Sequence, residues 1–261
     1  MKKEIRYFII QAIFNLKNAY ALRKSFWISV FSMVLNDCTF FVIWYLFMQA
    51  TGPINGWSTV DVFGMLGVSL FIFGITNSFF YGIRDLPETV LMGSFDNVLL
   101  SPVDPFLKLA GNSFSMTAYG DLLQGLIVTI FYGVYLKFSF LVWVLYGLAI
   151  FLGCIIFISI RLLCSLVAFF IHDGEVVSTQ LFEVYLRPGL YPGSIFPSKM
   201  KIFFMTIIPT LITSAVPIDI IKLKSINLFV FSFFVTFFWV CVTCLVFKIA
   251  IKRYESGNFL R

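Results

Sequence analysis

From Phe138 to Ile171 the sequence carries a single charged side chain, Arg161. A hydrocarbon core about 30 Å thick is crossed by roughly 20 apolar residues, so this run is too long for one upright helix. An arginine at the centre of a bilayer costs several kcal/mol. The cheaper arrangement is a hairpin. One span covers residues 140–159, Arg161 lies at a turn on the cytoplasmic side, and a second span covers 162–186. That second span carries His172, Asp173 and Glu175 at membrane depth. The rival arrangement is one tilted helix over 140–171, with 172–201 as a cytoplasmic loop.

The rest of the chain has the same character. It is 60% hydrophobic and 12% charged, with a mean hydropathy of +0.95, whereas soluble domains average about 45–50% apolar and about 25% charged. The composition implies a polytopic, all-α membrane protein with one transmembrane domain over 26–261. Further spans are expected over 26–49, 60–83, 111–136 and 227–251, which makes six. Turns in TGPINGW end the first, and Ser58 or Thr59 caps the second. Gly64, Gly67 and Gly74 on the second span permit close helix packing. Five prolines between Pro188 and Pro217 forbid a long straight helix there. Short helices that dip into the bilayer and return over 188–224 fit this pattern.

The N-terminal residues 1–25 are no signal peptide, because Gln11, Asn15 and Lys17 break the apolar stretch. Ile5, Phe8, Ile9, Ala12, Ile13 and Leu16 recur at helical spacing, which predicts an amphipathic helix on the membrane surface. With six spans and both ends inside, thirteen of the 19 Lys and Arg residues fall on the cytoplasmic side and six outside. This bias follows the positive-inside rule and places residues 84–109 in the cytoplasm. The net charge of +6 is spread over chain ends and loops, with no basic groove suited to nucleic acid. All five cysteines fall in apolar runs, where they read as small packing residues.

The sequence lacks a GxxxxGK[ST] loop, an HExxH helix and a GxSxG elbow, so the chain offers no known frame for binding ATP, holding catalytic zinc or presenting a serine nucleophile. No catalytic, cofactor-binding or metal-ligating residue is expected. Asn36, Asp37, Asn77, Asp121 and Gln124 fall inside spans. With His172, Asp173 and Glu175 they are candidates for a translocation path or a subunit interface, since intramembrane polar groups face protein or water.

Between the second and third spans lies RDLPETVLMGSFDNVLLSPVDPF. Pro87 suits the first turn of a helix with Glu88 beside it, Gly93 and Ser94 interrupt it, and Pro102 stops a second short helix. Phe95, Val98, Leu99 and Met92 are too few to bury a domain. They suffice to fill a groove on another protein, with Asp96 and Asp104 as orienting charges.

The spacing Gly93-Asp96-Leu99-Pro102 resembles a G-x-x-D-x-x-L-x-x-P motif of the ABC type-2 permease family, in its branch of short six-span permeases. LYPGSIFP at 190–197, IPTLITSAVP at 208–217 and KRYESGN at 252–258 are similar to that branch in the same order. The resemblance implies the membrane half of an ATP-driven exporter, with a second permease and two ATPase subunits that hold ATP and magnesium. It implies that 84–109 is a coupling segment contacting the ATPase through Glu88, Phe95, Asp96, Val98, Leu99, Leu100 and Pro102. It also implies an interfacial helix at the N-terminus and a re-entrant region before the last span. The alternatives are an ion-coupled secondary transporter, which calls for internal repeats, and a membrane enzyme built around His172.

Overall fold

The computed structural model describes residues 2–21 and 23–254. The side chains of Lys2, Lys3 and Ile5 and the residues Glu255–Asn258 of the C-terminal motif lie outside that description. Twelve α-helices are described: α1 (Lys2–Ala21), α2 (Arg23–Thr51), α3 (Thr59–Phe79), α4 (Leu86–Leu91), α5 (Asp96–Leu99), α6 (Pro105–Ala110), α7 (Ala118–Tyr135), α8 (Phe140–Ser165), α9 (Gly174–Leu186), α10 (Ser198–Thr206), α11 (Ala215–Lys222) and α12 (Ile226–Arg253). The β-pairing among the described residues is one isolated bridge, Ile54 to Trp57. Four helices are long and apolar enough to cross a membrane: α2, α3, α8 with its 3-10 continuation to Phe169, and α12. The chain is a multi-pass, all-α membrane protein.

The tightest helix pair is α3 against α7, and glycines set its distance. A methyl group added at Gly74 would come within 2.3 Å of the Leu122 amide nitrogen, and one at Gly125 within 2.2 Å of that of Phe71. Gly64 and Gly67 likewise make room for Tyr132 and Val128. Side chains at these positions would hold the backbones apart, and without them the two helices pack close. α8 completes this core, with Ile156 and Phe157 buried beside Ile72 and Val68. By contrast α2 and α12 leave most of their apolar surface uncovered, including Ile28, Phe31, Phe234 and Phe237. Such faces are stable against lipid or another chain rather than water.

The bundle has two distinct ends. At one end α1 docks on α6: Asn15 Nδ2 donates to the Gly111 carbonyl at 3.0 Å, and Lys108 Nζ to Tyr7 Oη at 2.8 Å. The last turn of α12 reaches the same end, where Tyr254 Oη donates to the Gly93 carbonyl at 3.2 Å. At the opposite end Asn55 Nδ2 donates to the Ser194 carbonyl at 2.8 Å, and Lys222 Nζ donates to the carbonyl of Gly56.

The hairpin expected over 140–186 exists, but its turn is elsewhere. α8 runs unbroken past Arg161 to Ser165 and continues as a 3-10 helix, Leu166–Phe169. The chain reverses at 170–173. Gly174 permits this reversal, since a Cβ there would approach the Ala168 Cα to 2.3 Å. Arg161 stays inside the helix because its guanidinium stacks on the Phe182 ring at 4.6 Å. The cation is thus held against an aromatic face, about two turns before the end of the 3-10 continuation. Consequently His172, Asp173 and Glu175 are exposed in and beside the turn. They lie at the turn between α8 and α9 rather than inside a long apolar helix.

Thirteen residues make α9 only about 20 Å long. The 3-10 segments Arg187–Leu190 and Gly193–Ile195 extend its path to the far end, where Tyr191 meets Trp44 at 6.0 Å. α10 then runs back toward the middle of the bundle, and its Thr206 carbonyl accepts from Trp239 Nε1 at 2.8 Å. The 3-10 segment Pro209–Thr213 and α11 return the chain to the far end.

Candidate functional site

At the end shared by α1 and the tail of α12, three short helices carry the loop between α3 and α7. Pro87 occupies the first turn of α4, where its missing N–H costs nothing. Gly93 has a φ of +68°, a left-handed conformation that glycine adopts without a steric penalty. This bend lets the Phe95 amide return to the Thr89 carbonyl at 3.2 Å. It also drives the Phe95 side chain inward, against the rings of Phe169 at 5.3 Å and Tyr254 at 5.1 Å.

Two residues expected on the docking face are therefore anchors. Phe95 is 0% exposed and Val98 is 5% exposed, so neither is available to a partner's groove. Asp96 is half-buried, whereas Glu88, Leu99, Leu100 and Pro102 are exposed as expected. Met92 is exposed likewise, at 68%, and Leu91 joins them, while Leu100 reaches 83% exposure. A one-turn helix has too few residues for spacing to tell which side faces the bundle. The Gly93 bend decides it.

A second feature lies between the helices. A cavity of about 300 Å³ is bounded by α2, α3, α7, α8 and the segments after α9 and α10. Three of the predicted polar residues, Asn36, Asp37 and Asp121, line it. Asp37 on α2 and Asp121 on α7 face the same cavity. Both are almost wholly buried, at 3% and 1% exposure. Neither Asp121 oxygen, nor Oδ2 of Asp37, has a donor among the described residues. Most of the remaining wall is apolar, from Phe40, Phe41, Phe73 and Phe157.

The other candidates fall outside that wall. Gln124 lies one turn along α7, its Nε2 3.6 Å from Cys38 Sγ on α2. Asn77 donates to the Phe73 carbonyl at 2.9 Å and borders a small separate pocket with Arg84 and Arg161. His172, Asp173 and Glu175 are at the turn described above. Gly189, Thr210, Thr213 and Ser214, from the proline-rich region, do line the cavity, and nothing in local sequence announces that.

Sequence reasoning also missed an ionic cluster at the far end. Asp61 closes a capping box with Ser58, accepts from Tyr132 Oη at 3.0 Å and pairs with Lys222 Nζ at 2.5 Å. Lys201 pairs with Asp219 at 2.8 Å. These two bridges fasten α11 to α3 and to α10. The serine cap was legible. Its carboxylate's distant partner was not.

A bundle of apolar helices with a lined internal cavity and a loop of short helices at one end defines a multi-pass, all-α membrane protein. The family model described as ABC-2 family transporter protein matches residues 34–257, and the chain belongs to that family. Membership supports a transmembrane permease subunit that works with ATPase subunits. No curated protein and no solved structure matches the chain.

Proposed function

We propose that this chain is the membrane subunit of an ATP-binding cassette exporter in the cytoplasmic membrane of a prokaryote. It pairs with a second permease, identical or a sister chain, and with two ATPase subunits that bind ATP and magnesium. Six crossings are made by α2, α3, α7, α8, the broken path of α9 with its 3-10 segments, and α12. α10 and α11 form a re-entrant hairpin at the outer face. Both termini and residues 84–109 are cytoplasmic, and residues 1–25 form an interfacial helix.

The observation that carries this reading is an exposed apolar patch at the end of the bundle. It comprises Leu91, Met92, Leu99 and Leu100, edged by Glu88. Phe95 bolts this patch to the 3-10 continuation of α8 and to Tyr254 after α12. A patch that moves with an ATPase pair would transmit that motion directly into the α8–α9 hairpin and α12. The substrate is a hydrophobic or amphipathic molecule, for which the internal cavity supplies the path.

Reconstitution in nanodiscs with candidate ATPase subunits tests the coupling. The permease is expected to change their hydrolysis rate, and Leu100→Asp to abolish that change. Because Leu100 is exposed, melting of the isolated permease should shift by no more than about 0.5 kcal/mol. Assembly and stimulation at the wild-type level by Leu100→Asp would refute the docking role. The ion-coupled and enzymatic alternatives gain no observation from the fold.

A further inference from the structure

The cavity between α2, α3 and α7 has a charge imbalance that the transport reading leaves unused. Among the described residues its only ionisable lining groups are Asp37 and Asp121. No described lysine, arginine or histidine lines it. Buried carboxylates are stable when paired with a cation or supplied with donors. Here three of the four carboxyl oxygens have no donor from the described residues. Two carboxyls lining one small apolar cavity resist joint ionisation, so the pair is matched to one positive charge rather than two.

The rest of the wall fixes the other half of the ligand. Phe40, Phe41, Leu70 and Phe73 offer apolar and aromatic surface beside the acidic pair, suited to an apolar body and to cation–π contact. The volume of about 300 Å³ is at the small end of ligand pockets. Asn36 and Phe40 line the cavity and are themselves exposed on α2. The opening therefore faces sideways, among the uncovered apolar residues Leu35 and Ile43.

We propose that this cavity binds an amphiphile carrying a single positive charge, with its cationic group between Asp37 and Asp121 and its apolar body along the phenylalanines. The inference rests on the permease reading for its purpose, but binding itself needs no ATPase. The test therefore uses the full-length permease alone in nanodiscs of neutral lipid. Tritiated phenylbutyl-trimethylammonium is compared with its neutral isostere, in which carbon replaces the charged nitrogen.

The cation is expected to bind saturably and the neutral isostere at least about 30-fold more weakly, the loss that follows from removing one member of a buried charge pair. Asp37→Asn with Asp121→Asn should bring the two probes to the same weak affinity. The unliganded double variant should melt no lower than wild type, because unpartnered buried carboxyls are removed. Leu70→Trp, which fills the cavity, should abolish binding of the cation. Equal affinity of the wild type for the two probes would overturn the proposal without any variant. So would unchanged cation binding by the double variant or by Leu70→Trp. Absence of ATPase stimulation, measured separately, would count against the permease reading and leave this binding result standing.

Discussion

At the scale of single residues, Asp61 shows how an ionised group is kept at the rim of an apolar bundle. It is 6% exposed, yet Ser58, Tyr132 and Lys222 all donate to it. Removing one partner of such a pair leaves a buried charge short of compensation, whereas replacing both is close to neutral. Lys222→Met is therefore expected to destabilise the protein by about 1–3 kcal/mol, the lower range applying because Ser58 and Tyr132 remain. Adding Asp61→Asn should recover most of that loss, as thermal unfolding of the two variants in one detergent will show. Phe95→Ala belongs to another class. It empties a site enclosed by Phe169 and Tyr254, and a cost of about 3–5 kcal/mol is expected, where Leu100→Asp costs almost none. The sequence made Ser58 readable because a cap is local. The Asp61–Lys222 pair spans 161 positions, and only the returning path of α11 brings it together. Phe95 was misplaced for a related reason: apolar spacing identifies a face but not what covers it.

At the scale of elements, the α3–α7 pair separates what length and periodicity reveal from what they hide. The glycines Gly64, Gly67 and Gly74 were legible as a packing stripe because small residues recur along one span. Their counterpart Gly125 was not, since a lone glycine in an apolar run has no period. Gly74→Leu and Gly125→Leu should each push the helices apart and lower stability by at least about 1–3 kcal/mol, because the obstruction is backbone rather than a movable side chain. Gly147 on α8 provides the control. Nothing lies within 4 Å of a Cβ added there, so Gly147→Ala should be neutral or stabilise by about 0.5–1 kcal/mol through helix propensity. Melting curves of the three variants decide the point. α8 itself illustrates the converse failure. Its apolar run suggested a hairpin, which is present, but the arginine was taken as the turn. An aromatic partner twenty-one residues further on, Phe182, is unnecessary for a turn and sufficient to keep Arg161 in the helix.

At the scale of the whole molecule, the decisive fact is that α1 and the last turn of α12 share one end of the bundle. A chain that leaves and returns to the same end crosses an even number of times, whatever the regularity of each crossing. Composition alone counted α7 and the 162–186 segment as full spans. α7 has 18 residues and α9 has 13, and the path after α9 continues in 3-10 segments that a hydropathy reading does not resolve. The ends differ in their lysines, which makes the arrangement testable in intact cells. Lys199 and Lys224 are at the end carrying α10 and α11, and Lys17 and Lys24 are with α1 and the start of α2. With 84–109 in the cytoplasm, a membrane-impermeant amine reagent applied outside should modify Lys199 and Lys224 and spare Lys17 and Lys24. Disruption of the membrane should then expose all four, as peptide mass spectrometry will record. Labelling of Lys17 or Lys24 in sealed cells would invert the bundle and place the Leu91–Leu100 patch outside, where no ATPase could reach it. Labelling of neither pair would mean that a further chain covers the outer end. The side on which Lys199 is modified therefore fixes both the topology and the compartment in which the coupling partner must be sought.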